Sequence, residues 1–354
     1  MNALTRRPAL EPTPCRLAVP EAAGQQLLAR LRHPAAIGEA FEASAKYAVS
    51  SGALCDLLRY CEAELELQQQ ALFDLPCFEA RLGAENICFV HARSSDPRAL
   101  PLLLVHGYSA SLAEFQQQIA GLTAGDGAPA FHVVCPSLPG FGLTSGEALP
   151  RSAAAQCAGL MAQLGYPRYL VHGSDLGAKV ALELAALDEP HVAALHVTAL
   201  PTYPAPAGDA DPASSQEKSQ LLRLAELEAE LEFALPESPL EELAYALSRS
   251  DEELGTLTPQ QRAGLLTGLL LSTSFGNPDA RASLHRLRLE PAPRSAVPIA
   301  LHAFPLDAPS LRRAALERYR VVEWHEHALG GCTPALEQPE LWLSSLRSWG
   351  ARLG

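Results

Sequence analysis

The chain has 354 residues, 48% of them hydrophobic and 19% charged, enough to bury one large catalytic domain with an insertion or two average domains. Its 40 acidic residues outnumber its 27 lysines and arginines, giving a net charge of −13 with no basic run, which argues against a nucleic-acid partner or an anionic membrane surface. No apolar run approaches the roughly 20 residues of a membrane span, and the opening MNALTRRPALEP lacks the apolar stretch of a secretory signal.

The eight cysteines are scattered, with no CxxC pair and no zinc spacing. Six of them (Cys55, Cys61, Cys77, Cys88, Cys135 and Cys157) sit among apolar residues and read as buried reduced thiols. A cytoplasmic location is the expectation.

Residues 1–20 look irregular. Helical spacing covers 21–32 and 52–73, the second through Leu54, Leu57, Leu58, Cys61, Leu65 and Leu72. FEARLGAENICFVHA (78–92) predicts a hairpin turning near Gly83-Ala84. Short apolar strands follow at Leu102–Val105, Phe131–Cys135, Tyr169–Val171 and Val192–Leu200, with a helix at Ala178–Leu187. TYPAPAGDADPASS (202–215) predicts a flexible connection, and helical patterns fill 216–289, including a capping-box start at Thr258-Pro259-Gln260-Gln261. Strands return at Ile299–Phe304 and Val321–Trp324, and Ala335–Leu353 ends the chain as helix. Alternating strands and helices predict an α/β fold, a mostly parallel sheet with helices on both faces and a helical cap inserted between strands.

Tyr169–Ala178 is the sharpest chemical signal. A strand runs through Gly173-Ser174-Asp175-Leu176-Gly177 straight into a helix, a nucleophile-elbow pattern with aspartate at its centre. The plain alternative is an aspartate capping an ordinary helix. Leu103-Leu104-Val105-His106-Gly107-Tyr108-Ser109 is a strand ending in His-Gly, a loop suited to supplying one oxyanion N–H. With Asp175 on the elbow, the oxyanion donors would be the amides of Tyr108 and Leu176. His106 reads as a structural turn residue, and Pro136-Ser137-Leu138-Pro139-Gly140-Phe141-Gly142 as a rigid loop that shapes the pocket.

VHGYSASLAEF, VVCPSLPGFGLTS, VHGSDLGAKVA, AFPLD and GGCTPALEQPELW follow one another in an order and spacing that resembles the bacterial, fungal and microsomal-type epoxide hydrolases of the α/β-hydrolase superfamily. LAVPEAAGQQLLARLRHP and LPCFEARLGAENICFVHARS resemble the N-terminal meander of that subfamily. The resemblance implies an N-terminal segment at 1–100 leading into the first strands, core halves at 101–201 and 296–354, and a cap at 202–295. It implies that Asp175 is the nucleophile that opens an epoxide to a covalent ester. Asp307, which is otherwise a loop residue, would orient the base. The implied substrate is an apolar small molecule. No metal, nucleotide or flavin fingerprint is present, so no cofactor is expected. A homodimer is left open.

The departures are equally specific. The family's Gly-Gly-His stands as Gly330-Gly331-Cys332, so the water-activating imidazole is missing and a neutral thiol is no substitute base. His325 and His327 lie just upstream, either as a relocated base or as loop histidines. The family's first ring-opening tyrosine falls near Glu232 or Phe233, and its second near 280–284, where Ala280-Arg281-Ala282-Ser283-Leu284 contains none. Tyr245 reads as core. Tyr108 replaces a tryptophan and Ser109 a proline. Three expectations result: a hydrolase with a relocated base, a redirected enzyme that needs no activated water, or a silent ligand-binding homologue.

Overall fold

The computed structural model describes residues 12–16, 21–33, 35–73, 75–108, 110–125, 128–141, 143–200, 202, 214–233, 238–248, 262, 264, 266–268 and 290–353. Among them nine strands form one sheet: β1 (Thr13–Pro14), β2 (Cys77–Leu82), β3 (Glu85–Ala92), β4 (Leu100–Val105), β5 (Phe131–Pro136), β6 (Tyr169–Gly173), β7 (Val192–Val197), β8 (Ile299–Ala303) and β9 (Val321–Glu326). Their order is β1-β2-β3-β5-β4-β6-β7-β8-β9. The first strands are antiparallel, and every pairing from β5 through β4 to β9 is parallel. This is the predicted mostly parallel sheet, and the hairpin turns at Gly83-Ala84 as expected, with Gly83 at φ +65°.

The helices are α1 (Glu21–Leu31), α2 (Ala36–Lys46), α3 (Ser51–Phe73), α4 (Ile119–Thr123), α5 (Pro150–Gln163), α6 (Leu176–Leu187), α7 (Ser215–Phe233), α8 (Pro239–Ser248), α9 (Arg312–Arg318), α10 (Pro334–Glu337) and α11 (Pro339–Ala351). They cover both faces of the sheet. On β6 the Tyr169 hydroxyl donates to Asp188 at the end of α6, while His172 turns the other way and accepts from Trp342 of α11.

Several elements depart from the sequence reading. The first 20 residues are not wholly irregular, because Thr13 and Pro14 pair with Glu79 and Phe78. The C-terminal helix breaks at Gln338, where Pro339 starts a new helix with its fixed φ and missing N–H. Cys55 is half-buried rather than buried, whereas Cys61, Cys77, Cys88, Cys135 and Cys157 are buried, and all eight thiols are free. The 258–261 capping box and nearly all of 202–213 lie outside the described residues. A different capping box starts α7: Ser214 Oγ accepts the Glu217 N–H at 3.1 Å and Glu217 returns the contact to the Ser214 N–H at 3.0 Å.

Helices α7 and α8 lie between β7 and β8 in the chain, where an insertion stands over the carboxyl ends of the strands. The N-terminal segment holds α8 down. Lys46 Nζ pairs with Glu241 at 2.7 Å, the Tyr47 hydroxyl donates to the same carboxylate at 3.4 Å, and the Tyr47 ring meets Tyr245 edge-on at 5.7 Å. Tyr245 is buried, as expected of a core residue, and also meets the Tyr108 ring at 6.0 Å.

His325 and His327 form the outer end of a histidine row that crosses four strands. Register sets His172 beside His196 and His302 beside His325. His172 and His196 share a 3.0 Å Nδ1···Nδ1 contact. The His196 and His302 rings stack at 4.4 Å, and His302 and His325 at 4.5 Å. Burial drives His172 down to about 3 and holds His196 and His302 well below the ordinary histidine range, with neighbouring rings adding repulsion. These groups stay neutral in the fold and protonate in the unfolded chain. Stability is therefore fully present above the unfolded value near 6.5 and falls as pH drops below it. Glu114, raised to about 8 by burial, binds one extra proton in the fold over the same window and opposes this slope. The three histidines outweigh it. His91, His132 and His327 are lowered by burial in the same sense, so between pH 6.5 and 5 urea unfolding is expected to show a net loss of stability as pH falls; constant stability across that window would contradict the assignment.

Candidate active site

β6 ends at Gly173 and α6 starts at Leu176, with only two residues between, so the chain must reverse direction at Ser174-Asp175. Asp175 takes φ 47°, ψ −117°, a conformation that costs a non-glycine residue about 1–3 kcal/mol. The flanking glycines allow it. A Cβ on Gly173 would stand 2.2 Å from the Gly177 carbonyl oxygen, and one on Gly177 would stand 2.0 Å from the Val105 carbonyl oxygen. Asp175 sits at the N-cap position, but its side chain makes no capping hydrogen bond. Instead its Oδ2 accepts the Tyr108 N–H at 2.8 Å. The plain capping reading is thereby excluded. Buried Leu176 follows directly, and its amide belongs to the α6 N-terminal N–H groups that lack an intrahelical acceptor.

Thr198 lies just past β7 and connects two of the candidates. Its hydroxyl donates to Asp307 Oδ2 at 2.6 Å and accepts the Asp175 N–H at 3.4 Å. Asp307, also buried, takes the Ala308 N–H on Oδ1 at 2.7 Å. Cys332 is buried in the loop after β9. That loop docks beside the Asp307 turn, where the Leu306 N–H donates to the Gly330 carbonyl at 3.4 Å. Gly330 is required there, with φ +110° and Phe304 Cδ1 only 2.8 Å from where a Cβ would be. The next residue after Cys332, Thr333, donates its N–H and hydroxyl to Glu337 at 3.0 and 2.8 Å.

Glu114 is fully buried beneath the elbow. One carboxyl oxygen accepts the Gly107 N–H at 3.1 Å and the other takes the Ser174 hydroxyl at 2.7 Å. One side chain thus ties the loop that supplies Tyr108 to the turn that carries Asp175. Burial, then the charges of Asp175 and Glu337, push its carboxyl up to about 8, against the pull of its two hydrogen bonds. Sequence reasoning missed both Glu114 and Thr198. Each stands near a recognisable motif, Glu114 three residues after the capping Ser111 and Thr198 one residue beyond a strand end.

His106 is structural, as expected. Its Nε2 accepts the Leu138 N–H at 3.1 Å, leaving Nδ1 to donate to the Gly107 carbonyl at 2.9 Å. Phe141 of the Pro-Gly loop packs edge-on against His106 and Tyr108, giving that loop its shaping part. Nitrogens of the two upstream histidines are engaged elsewhere: His327 Nε2 with His302 Nδ1 at 3.0 Å, and His325 Nε2 with Glu323 at 3.4 Å. His327 nonetheless lines the same cleft as Asp307, about 350 Å³ in volume, together with Phe304, Trp324 and Arg223. The 280–284 segment and Ser109 lie outside the described residues, as do the side chains of Glu232 and Phe233.

Replacing Glu114 separates its two hydrogen bonds from its proton. Glu114→Gln keeps an acceptor for the Gly107 N–H and, with the Ser174 hydroxyl turned to accept from the amide, a hydrogen bond to Ser174, so it is expected to stay near wild-type stability at pH 7. Glu114→Ala leaves the Gly107 N–H and the Ser174 hydroxyl without this partner and is expected to cost about 1–3 kcal/mol. Urea unfolding of both variants checks this, and equal losses would refute the clamp.

Comparison with known proteins bears on the fold and the family. Residues 12–115 match the epoxide hydrolase N terminus family, and residues 101–285 match the alpha/beta hydrolase fold family. A putative epoxide hydrolase of Stigmatella aurantiaca is 30% identical over 310 residues, covering 77% of this chain and 69% of that protein. Juvenile hormone epoxide hydrolase of Bombyx mori is 36% identical over 151 residues, but only 40% of this chain and 33% of that protein are covered. The structure of Aspergillus niger epoxide hydrolase superposes with a TM-score of 0.77 at 22% identity, covering 98% of this chain and 97% of that one, which speaks to the fold. The chain belongs to the epoxide hydrolase family of the α/β-hydrolase superfamily.

Proposed function

We propose that this family member acts on an apolar small molecule through Asp175 and that Cys332 stands where the water-activating base belongs, so that its reaction is ring opening, cyclisation or isomerisation without an activated water. The observation that carries the reading is the Asp175 carboxylate, held on a strained elbow by the Tyr108 N–H rather than spent on capping. Held by the Tyr108 N–H, the carboxylate is placed to attack an epoxide carbon, the ring C–O bond breaks, and the ring oxygen leaves as an alkoxide that takes a proton from solvent. In a substrate carrying its own hydroxyl, Asp175 can instead take that proton while the hydroxyl oxygen attacks. The ring oxygen ends protonated, and the net change is an isomerisation that consumes no water. Tyr108 and Leu176 are the proposed oxyanion donors. Asp307, retained with its Thr198 contact, is the proposed orienting acid. A relocated base is the second reading, favoured by the cleft that His327 shares with Asp307.

Intact-protein mass after incubation with a terminal epoxide tests the first step. One epoxide mass is expected to accumulate on the wild type, to map to Asp175 by digestion, and to vanish in Asp175→Ala. Adduct confined to cysteines, or none, would overturn the nucleophile. The second step is tested by restoring the base. Cys332→His is expected to raise diol formation about 10²–10⁴-fold, the usual contribution of a general base. Fast diol formation by the wild type that His327→Gln abolishes would establish the relocated base instead.

A further inference from the structure

We propose that Cys15 and Cys88 are an oxidation-sensitive thiol pair that a hydroperoxide converts to a disulfide, fastening the N-terminal strand to the sheet. The two Sγ atoms lie 4.0 Å apart although the residues are 73 positions apart in sequence. Cys88 is in β3, and its backbone is fixed on both sides. Its N–H donates to Thr144 at 3.1 Å, and its carbonyl accepts the Ser137 N–H at 2.9 Å. Cys15 is the less constrained partner. It follows a strand of two residues and is joined to β2 by one further bond, its N–H to the Cys77 carbonyl at 2.9 Å. Because β2 lies between β1 and β3, closing the sulfurs to the roughly 2.05 Å of a disulfide asks Cys15 to give up its bond to Cys77 and shift across β2, while β3 stays in place.

The two thiols are also chemically unequal. The hydrogen bond shared by the two sulfurs holds Cys15 below the ordinary thiol range against burial and the Glu79 carboxylate. The same contact, with burial, pushes Cys88 up. Burial pushes Cys61, Cys77 and Cys157 up to about 12, so those thiols are poor nucleophiles near neutral pH. Cys15 is half-exposed and Cys88 buried, the arrangement of an attacking and a resolving cysteine. In the first step the Cys15 thiolate attacks a peroxide oxygen, the O–O bond breaks, and the leaving oxygen takes a proton to depart as water or alcohol. Cys88 then loses its proton and attacks the sulfenic sulfur. The S–S bond forms, the S–O bond breaks, and a second water leaves.

The full-length chain, reduced and desalted, is treated with hydrogen peroxide and then alkylated under denaturing conditions. The oxidised chain is expected to carry six alkyl groups where the reduced chain carries eight, and digestion to join the Cys15 and Cys88 peptides. Cys88→Ser is expected to stop at a sulfenic acid on Cys15 that dimedone captures, while Cys77→Ser still forms the disulfide. The oxidised wild type is expected to unfold at a higher temperature than the reduced protein, a shift reversed by dithiothreitol and absent in Cys15→Ser. A Cys15–Cys77 disulfide, a sulfenic acid that persists in the wild type, or Cys15 unmodified while buried thiols react would each overturn the pair. Because wild-type mapping decides the question, a variant that fails to fold does not rescue the proposal.

Discussion

A backbone angle of φ 47° at Asp175 is the constraint around which the site is built. No hydrogen bond made by the aspartate itself creates that angle. It is imposed by two glycine positions at which the elbow, the start of α6 and the end of β4 approach within the radius of a methyl group. The turn therefore exists because three backbone segments are packed too closely for side chains, and the cost of the strained residue is met by that packing. Once the turn is made, the carboxylate is delivered to the Tyr108 amide, and its position is set by the sheet rather than by rotamer preference.

Carboxyl groups dominate the surroundings. Asp175, Glu114, Asp307 and Glu337 are all buried around the elbow and its neighbouring loops. Such a concentration of acids is tolerable because each is tied to backbone N–H or hydroxyl donors and because Glu114 holds its proton. The arrangement is built to keep an aspartate in place. On the proposed reading, Cys332 in the place of the base leaves that part untouched and alters only the chemistry after attack, which is why opening of the substrate and release by water separate into two independently testable steps.

The fold was legible because its signals are local. Short apolar strands, the hairpin at Gly83-Ala84 and the glycine-flanked Asp175 each declare themselves within a few residues. Elements without such signals escaped. Helix α5 is alanine-rich with a weak stripe, and α2 follows a proline after only a short gap. A single helix over 335–353 overlooks Pro339. In the candidate site, Asp175, Asp307 and Cys332 could be proposed because they stand in motifs. Glu114 and Thr198 could not, because what matters about them is a contact across 60 residues for Glu114 and Ser174, and across 109 for Thr198 and Asp307. The histidine row was invisible for the same reason. His172, His196, His302 and His325 are scattered along the chain and become neighbours only through strand register.

The ties from Lys46 and Tyr47 to Glu241 and Tyr245 have a mechanical consequence. Helix α8 belongs to the insertion over the strand ends, yet the residues that anchor it come from a segment nearly 200 positions earlier. A roof hinged only at its own two connections could swing; one pinned at a third point from the opposite end of the chain resists tilting. Through Tyr245 the same pin reaches the Tyr108 ring, so a tilt of α8 would be felt at the loop whose N–H holds the Asp175 carboxylate.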